Sequence, residues 1–247
     1  MTVRGRTILV TRPADDAGDL AGRLRERGAL VFEAPAIEIL DLDDTAELDR
    51  AVRGLAAGAF AWVSFTSPRA VDAVLAGLRR FGLPPRLPAH VAAVGPATAR
   101  RLGDASVPIE LLADPHTTDA MAEGFPSGEG WVLLPRADIA PEGLEDRLRA
   151  KGWTPVRVDA YRTRYPDALP DEARRALEEG RVDAVVFTSS STVEGFVRLA
   201  GVPPETRVVC IGPVTADAAR HAGFSVDAVA EPHTVDGIVR AVENLYP

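Results

Sequence analysis

The sequence predicts an α/β fold in which two similar domains each carry a parallel sheet flanked by helices. Short apolar runs alternate with helical patterns along the chain, which is typical of a parallel sheet covered on both faces. The stretch Val91–Ala99, VAAVGPATA, also resembles Val208–Ala216, VVCIGPVTA, and such an internal repeat indicates a duplicated unit. A chain of 247 residues has room for two domains of ordinary size.

Each copy of the repeated stretch reads as a strand, a tight turn and the start of a helix. The glycine of the Gly-Pro pair permits a tight turn, and the proline presets φ for the first helical turn. Thr98 and Thr215 follow, where a hydroxyl and free backbone N–H groups are expected to point outward together. A helix start of this kind suits an anion.

Other turn motifs also recur, in the same order, in the two halves of the chain. Because ligands of parallel α/β sheets bind where the strands end, two such halves facing one another would form a cleft. The matched segments are Ile8–Arg12 with Val132–Arg136, Leu20–Gly28 with Leu144–Gly152, Phe65–Ser67 with Phe187–Ser189, and Asp114–Asp119 with Glu231–Asp236.

The bulk composition excludes several classes of protein. Hydrophobic residues make up 46% and charged residues 26% of the chain, as in a globular protein. The net charge of −8, without a long basic run, disfavours nucleic-acid binding. The apolar run before Arg12 is too short for a signal peptide or a membrane span, so neither export nor a membrane partner is expected.

The single cysteine, Cys210, lies in a strand pattern and cannot form an internal disulfide. We expect it to be a small core residue, and a reducing cytoplasm fits its presence.

The motifs do not favour a metal site or a nucleotide-binding site. Two of the four histidines, His116 and His233, occupy equivalent Pro-His-Thr turns, but no His-Glu-x-x-His or Cys-x-x-Cys spacing accompanies them. A capping turn explains Pro-His-Thr better. Since no glycine-rich phosphate loop is present either, we expect neither a metal nor a nucleotide cofactor.

Hydroxyl groups are the remaining chemical candidates. Ser189 to Ser191 are consecutive at a strand-to-helix corner, but no Gly-x-Ser-x-Gly elbow surrounds them, so capping or ligand binding is favoured over nucleophilic catalysis. Tyr161 stands in an extended segment. From the residues alone, a packing role and a functional role for Tyr161 both stay open.

Together these motifs resemble the uroporphyrinogen-III synthase family over nearly the whole chain. Each motif is weak alone, but their order and duplication are specific. The resemblance rests on Thr11-Arg12-Pro13, the paired Phe-Thr-Ser turns, the two Gly-Pro-x-Thr turns and Ala160-Tyr161-Arg162-Thr163.

The family resemblance implies two α/β domains joined by a two-stranded connector. The chain would start in one domain, build the other, and return. We therefore expect a first domain from residues 1–34 and 165–247, a second from 42–155, and connector strands at 35–41 and 156–164. Such a connector would let the domains hinge around a cleft.

The resemblance also implies the reaction. The family closes linear hydroxymethylbilane into uroporphyrinogen III, with inversion of the terminal D pyrrole ring and loss of water, in tetrapyrrole, porphyrin and heme biosynthesis. A cofactor-independent lyase in the cytoplasm is expected, acting on a polycarboxylate substrate; a monomer is one option, and the oligomeric state stays open. Its main task would be to fold a flexible substrate into the productive geometry.

Three site residues follow from the resemblance. Tyr161 matches the family tyrosine proposed to help the hydroxyl group depart. Thr98 and Thr215 match positions that line the cleft. The implied roles are hydrogen bonding and orientation, because the family lacks a decisive catalytic acid or base.

Further substrate contacts are expected at equivalent turns. In the Thr188–Ser191 turn we select Ser189, since it keeps register with Ser67, with Ser190 as the alternative. Arg12 and Arg136 are candidate carboxylate contacts, although solvated or structural roles stay open.

Two other interpretations remain. A two-domain protein that closes on a small anionic ligand without chemistry would leave Tyr161 as a packing residue. A transcriptional regulator on this duplicated fold would need an added helix-turn-helix segment, and none is expected after Pro247.

Overall fold

The computed structural model describes residues 3–203 and 206–246. Both termini of the first predicted domain, at residues 1 and 247, lie outside this part. The strands are β1 (Thr7–Val10), β2 (Leu30–Glu33), β3 (Glu38–Leu40), β4 (Trp62–Phe65), β5 (His90–Ala93), β6 (Leu111–Leu112), β7 (Trp131–Ala137), β8 (Thr154–Arg164), β9 (Ala184–Phe187), β10 (Arg207–Cys210) and β11 (Ala228–Val229).

Helices alternate with these strands, so the predicted α/β class is confirmed. Among the described residues, no helix is both long enough and apolar enough to cross a membrane. The helices are α1 (Ala14–Glu26), α2 (Ala46–Ala56), α3 (Pro68–Arg80), α4 (Pro96–Asp104), α5 (Thr118–Gly124), α6 (Gly143–Ala150), α7 (Asp171–Glu178), α8 (Ser190–Ala200), α9 (Pro213–His221) and α10 (Val235–Asn244).

The chain divides into two compact units. The first unit combines Met1–Ile39 with Arg164–Pro247, and the second is Leu40–Thr163. The chain thus begins in one unit, builds the other and returns to the first. The domain limits expected from the sequence, at 34, 42, 155 and 165, stay a prediction.

The first unit is built on a five-stranded sheet with the order β11-β10-β9-β1-β2, all of whose paired strands are parallel. Ile8 and Val10 of β1 face a core formed with α1 and α10, while Leu9 faces a core formed with α7, α8 and α9. Side chains of a strand alternate between the two faces of the sheet. Because both faces of this sheet are buried, β1 must be apolar at successive positions, as the continuous apolar run in the sequence shows.

A six-stranded sheet has the order β3-β8-β7-β4-β5-β6, and its strands β4 to β7 lie wholly in the second unit. Val63 and Phe65 of β4 face α2, α3 and α4. Trp62 faces the opposite side, where Met121 of α5 and Leu148 of α6 complete a second core. Helices therefore cover both faces of this sheet as well.

Strand β8 differs from the expected connector. The segments expected to pair do contain neighbouring strands, β3 and β8. However, β8 begins at Thr154 and runs parallel to β7 along Trp131–Ala137, so it is a full member of the sheet rather than only a link. Burial of Val158 and Ala160 against the α2–α4 core accounts for this difference.

Side-chain caps begin several of the helices that follow the strands. Ser67 accepts the Ala70 N–H at the start of α3. Thr117 and Thr234, each at the end of a Pro-His-Thr turn, accept an N–H at the starts of α5 and α10. The capping role predicted for these turns is confirmed, and it satisfies donors that the helix itself leaves unpaired.

One helical glycine in the first unit allows a close backbone approach. A Cβ on Gly195, in α8, would lie 2.0 Å from the carbonyl oxygen of Ala36 and 3.1 Å from the Tyr165 ring. By contrast, a Cβ on Gly18, in α1, would meet nothing within 4 Å.

We expect Gly195→Ala to destabilise the protein by about 1–3 kcal/mol, because the new methyl group must push backbone apart. Gly18→Ala serves as the control and should stabilise by about 0.4–1 kcal/mol by restricting the unfolded chain. Urea unfolding of both variants tests this contrast. Equal midpoints for the two variants would contradict the close approach at Gly195.

Candidate functional site

The sequence-predicted site residues lie where parallel strands end, and they fall into one set in each unit. The carboxyl ends of parallel strands meet at one edge of a sheet, which is where α/β proteins bind ligands. The second unit holds Ser67, Thr98, Arg136 and Tyr161, and the first holds Arg12, Ser189, Ser190 and Thr215.

A β-bulge in β8 determines which face of the sheet the Tyr161 side chain lies on. Arg136 and Ala137 are consecutive in β7, yet they pair with Asp159 and Tyr161, so Ala160 is an extra residue in β8. The preceding even-numbered side chains of β8 face the α2–α4 core, and the bulge places the odd-numbered Tyr161 against that same core. Without the extra residue, strict alternation would send the tyrosine to the other face.

The Tyr161 hydroxyl donates a hydrogen bond to Ser67 Oγ at 3.2 Å. The same Ser67 oxygen accepts the Ala70 N–H at 3.2 Å, as the N-cap of α3. Two residues that the sequence proposed separately are therefore in contact. No motif in the sequence indicates this contact, since it depends on the bulge in β8.

Burial raises the pKa of Tyr161 above that of a free tyrosine. The hydrogen bond with Ser67 and the nearby positive charges of Arg69 and Arg136 act in the opposite direction, while Asp138 adds to the rise. The side chain is therefore a neutral phenol at physiological pH and can donate a hydrogen bond or a proton.

Thr98 and Thr215 lie in the first turns of α4 and α9 and are only 2% and 5% exposed. The sequence predicts hydroxyls that point outward, but both threonines are buried. The start of each helix has no side-chain cap. Its N–H groups therefore keep the capacity to bind an anion.

A histidine lies over each Gly-Pro turn. A Cβ on Gly95 would lie 3.4 Å from the Cβ of His116, and one on Gly212 would lie 3.5 Å from the Cγ of His233. Each ring Nδ1 is 2.7 Å from the carbonyl oxygen three residues earlier. The repeat predicted equivalent positions for the two histidines but could not place their rings. The described residues contain no cluster of three or more potential metal ligands.

Arg136 is engaged inside the second unit. Its side chain is 4% exposed. The guanidinium Nη1 donates to both carboxylate oxygens of Glu145, at 3.0 and 2.9 Å, and to the Pro141 carbonyl oxygen at 2.7 Å. The adjacent Nε is buried without a partner among the described residues. This pairing favours the structural role that the sequence left open for Arg136.

Arg12 occupies the equivalent turn of the first unit but is placed differently. It is half-buried, and no hydrogen bond or ion pair within residues 3–203 and 206–246 engages its guanidinium. In the repeat, Ala21 stands where Glu145 stands in the other half. Because alanine supplies no carboxylate, the charge of Arg12 stays available to a ligand.

Ser189 and Ser190 differ in how far the helix uses them. Ser189 caps α8 by accepting the Thr192 N–H at 3.2 Å, in a capping box with Thr192, and its Oγ lies 3.0 Å from Ser191 Oγ. Ser190 is the first residue of the helix, and in the part of the chain that the structure describes its hydroxyl has no partner. Ser189 thus matches Ser67 as a cap, while Ser190 has the hydroxyl available to a ligand.

Cys210 is fully buried in β10. Burial raises the pKa of its thiol to about 12. The thiol is therefore an inert core group, which confirms the prediction from the sequence.

Comparison with known proteins assigns the family. The family model described as uroporphyrinogen-III synthase HemD matches residues 18–240. The chain belongs to the uroporphyrinogen-III synthase family. This membership confirms the resemblance found in the sequence and does not favour a non-catalytic binding protein.

Curated relatives of this family align over almost the full chain. The uroporphyrinogen-III synthase of Synechococcus elongatus is 31% identical over 255 residues, which cover 97% of this chain and 95% of the relative. That of Chlorobaculum parvum is 29% identical and covers 92% of this chain and 93% of its own length.

Solved structures of uroporphyrinogen III synthases share the fold. A mutant of the Thermus thermophilus protein is 22% identical, with 96% of each chain covered and a TM-score of 0.71. The Helicobacter pylori protein is 17% identical, with 95% of this chain and 97% of that chain covered and a TM-score of 0.59.

The buried ion pair generates a stability prediction for this family member. Glu145→Ala should destabilise the protein by about 3–5 kcal/mol, because it leaves the Arg136 charge buried without compensation. The control is Glu178→Ala, which removes the exposed partner of Arg174 and should change stability little. Thermal unfolding of both variants measures the difference. A Glu145→Ala variant as stable as the control would show that Arg136 is not held by this pair.

Proposed function

We propose that this chain is a cofactor-independent lyase that closes linear hydroxymethylbilane into uroporphyrinogen III, with inversion of the terminal D pyrrole ring and loss of water. Family membership supports the reaction. The structural observation that carries the proposal is Tyr161, a neutral, largely buried phenol whose hydroxyl bonds Ser67 just after the carboxyl end of β4, and ligands of this fold class bind where the strands end.

Tyr161 assists the departure of the substrate hydroxyl. As the carbon–oxygen bond breaks, the leaving oxygen takes up negative charge, and the phenol supplies a hydrogen bond and then its proton, so that water leaves. The pyrrole nitrogen lone pair replaces the lost bond, and because this nitrogen keeps its hydrogen the product is a protonated, cationic azafulvene. A spiro-pyrrolenine then accounts for the inverted ring. The substrate's own carbons form the new bonds, and the protein acts by holding their geometry.

The substrate is a polycarboxylate, and the two units offer it local positive charge despite the net charge of −8. Distant surface charges are screened by salt, whereas the Arg12 guanidinium and the Ser190 hydroxyl have no partner in the described part of the chain and can bind a ligand. The uncapped starts of α4 and α9 add backbone N–H donors. We assign substrate carboxylates to these groups.

The other site residues support these contacts. Thr98 and Thr215 lie in the turns that begin α4 and α9. Because they are only 2% and 5% exposed, they touch the substrate through a small part of their surface. Arg136 stays with Glu145 and contributes a fixed charge rather than a direct contact. Ser189 holds the start of α8 beside Ser190.

The proposal includes the setting of the reaction. The protein acts as a monomer in the cytoplasm, on a small-molecule substrate, without nucleic acid or membrane. The single thiol suits a reducing compartment, and the net charge of −8 opposes binding to polyanions such as nucleic acid.

The reaction is tested by supplying hydroxymethylbilane and resolving the porphyrinogen isomers. We expect uroporphyrinogen III to form in proportion to the amount of protein. Spontaneous closure without ring inversion gives the type I isomer and serves as the blank. Formation of the type I isomer alone, at the blank rate, would reject the proposed function.

Tyr161→Phe tests the role of the phenol. We expect kcat to fall about 100-fold, near the lower end of what a general acid contributes, with the thermal midpoint preserved. The control is Tyr165→Phe, which removes a hydroxyl that instead bonds the Glu194 carboxylate at 2.8 Å. Equal activity of the two variants would exclude a catalytic role for Tyr161.

A further inference from the structure

Ser67 Oγ is shared between a helix and a tyrosine. It accepts the Ala70 N–H at 3.2 Å and the Tyr161 hydroxyl at 3.2 Å. Because the N-cap bond fixes Ser67 to the start of α3, the tyrosine bonds an oxygen whose place is set by a rigid element. Capping alone does not require the second bond.

The equivalent cap in the first unit has no such partner. Ser189 Oγ accepts the Thr192 N–H and lies beside the Ser191 and Thr192 hydroxyls, and no tyrosine bonds it within the described residues. The two caps therefore do the same work for their helices. The contact with Tyr161 is the feature that Ser67 adds.

We propose that Ser67 is a positioning residue that holds the Tyr161 hydroxyl toward the departing hydroxyl group of the substrate. This inference rests on the function proposed above. It assigns Ser67 an action through Tyr161 rather than a direct bond to a substrate carboxylate.

The Ser67 hydroxyl suits both states of the tyrosine. While Tyr161 is neutral, its O–H donates to Ser67 Oγ. When the phenol gives its proton to the leaving hydroxyl, water departs and a phenolate remains, and the Ser67 O–H can rotate to donate to it. The proton lost when the substrate ring regains aromaticity returns to the phenolate, so the cycle closes without a co-reactant.

The charges near Tyr161 are consistent with a transient phenolate. Arg69 and Arg136 both favour the ionised form, and Asp138 opposes it. Arg136 is fixed by Glu145, so its field does not depend on a mobile side chain. A hydrogen bond to a charged oxygen is stronger than one to a neutral phenol, so loss of the Ser67 hydroxyl should raise the pKa of Tyr161 further.

Ser67→Gly separates positioning from capping. Glycine is nearly as good an N-cap as serine, so helix α3 is preserved while the hydroxyl partner of Tyr161 is lost. Ser67→Thr restores the hydroxyl and the cap. The matched control is Thr117→Gly, which alters the cap of α5 in the same unit; among the residues that the structure describes, no tyrosine bonds Thr117.

We expect Ser67→Gly to lower kcat about 10- to 100-fold, the scale of loss from a displaced catalytic group, with KM changed less than about twofold. Ser67→Thr should recover most of the loss, and Thr117→Gly should show none of it. A rise in KM with unchanged kcat would instead make Ser67 a substrate contact. If Ser67→Gly and Thr117→Gly lower kcat equally, Ser67 acts only as a helix cap and the positioning role is rejected.

A titration without substrate tests the contact independently of the reaction. The phenolate absorbance of Tyr161 is obtained by subtracting the Tyr161→Phe variant, since the chain has only three tyrosines. We expect Ser67→Gly, but not Thr117→Gly, to raise the pKa of Tyr161. If the pKa of Tyr161 is unchanged in a variant that still forms the type III isomer, only the positioning role of Ser67 is rejected. If the pKa is raised in a protein that forms no type III isomer, only the proposed function is rejected.

Discussion

The extra residue Ala160 in β8 is the constraint on which the site in the second unit depends. It breaks the alternation of the strand and sets Tyr161 against the α2–α4 core, where its hydroxyl reaches Ser67. The parallel pairing of β8 with β7 holds the bulge in place. Sheet register, rather than a dedicated loop, therefore determines where the phenol points.

The two units share a fold but differ in how they use equivalent positions. Arg136 is paired with Glu145. Ala21 stands at the position equivalent to Glu145 in the first unit, and no hydrogen bond or ion pair among the described residues engages Arg12. Ser67 bonds Tyr161 as well as its helix, whereas Ser189, within the described residues, bonds its helix and the neighbouring hydroxyls.

The sequence predicted the features that depend on local pattern. Strand-to-helix corners, the capping threonines and the buried Cys210 follow from turn chemistry and apolar runs, and the structure bears them out. It could not predict the burial of Thr98 or the Arg136 pairing, because both depend on which residues meet after the helices pack. The bulge at Ala160 also escaped prediction, since a one-residue shift in register has no signature in a strand that is apolar on one face only.

A crystal structure with uroporphyrinogen III bound tests most directly whether Tyr161, held by Ser67, delivers a proton to the leaving group. We predict that the Tyr161 oxygen lies within about 3.5 Å of the carbon bridge that carried the hydroxyl, or reaches it through one water, with the Ser67 contact retained. A ligand bound with Tyr161 pointing away from that bridge, and with Ser67 bonded to a substrate carboxylate, would contradict it.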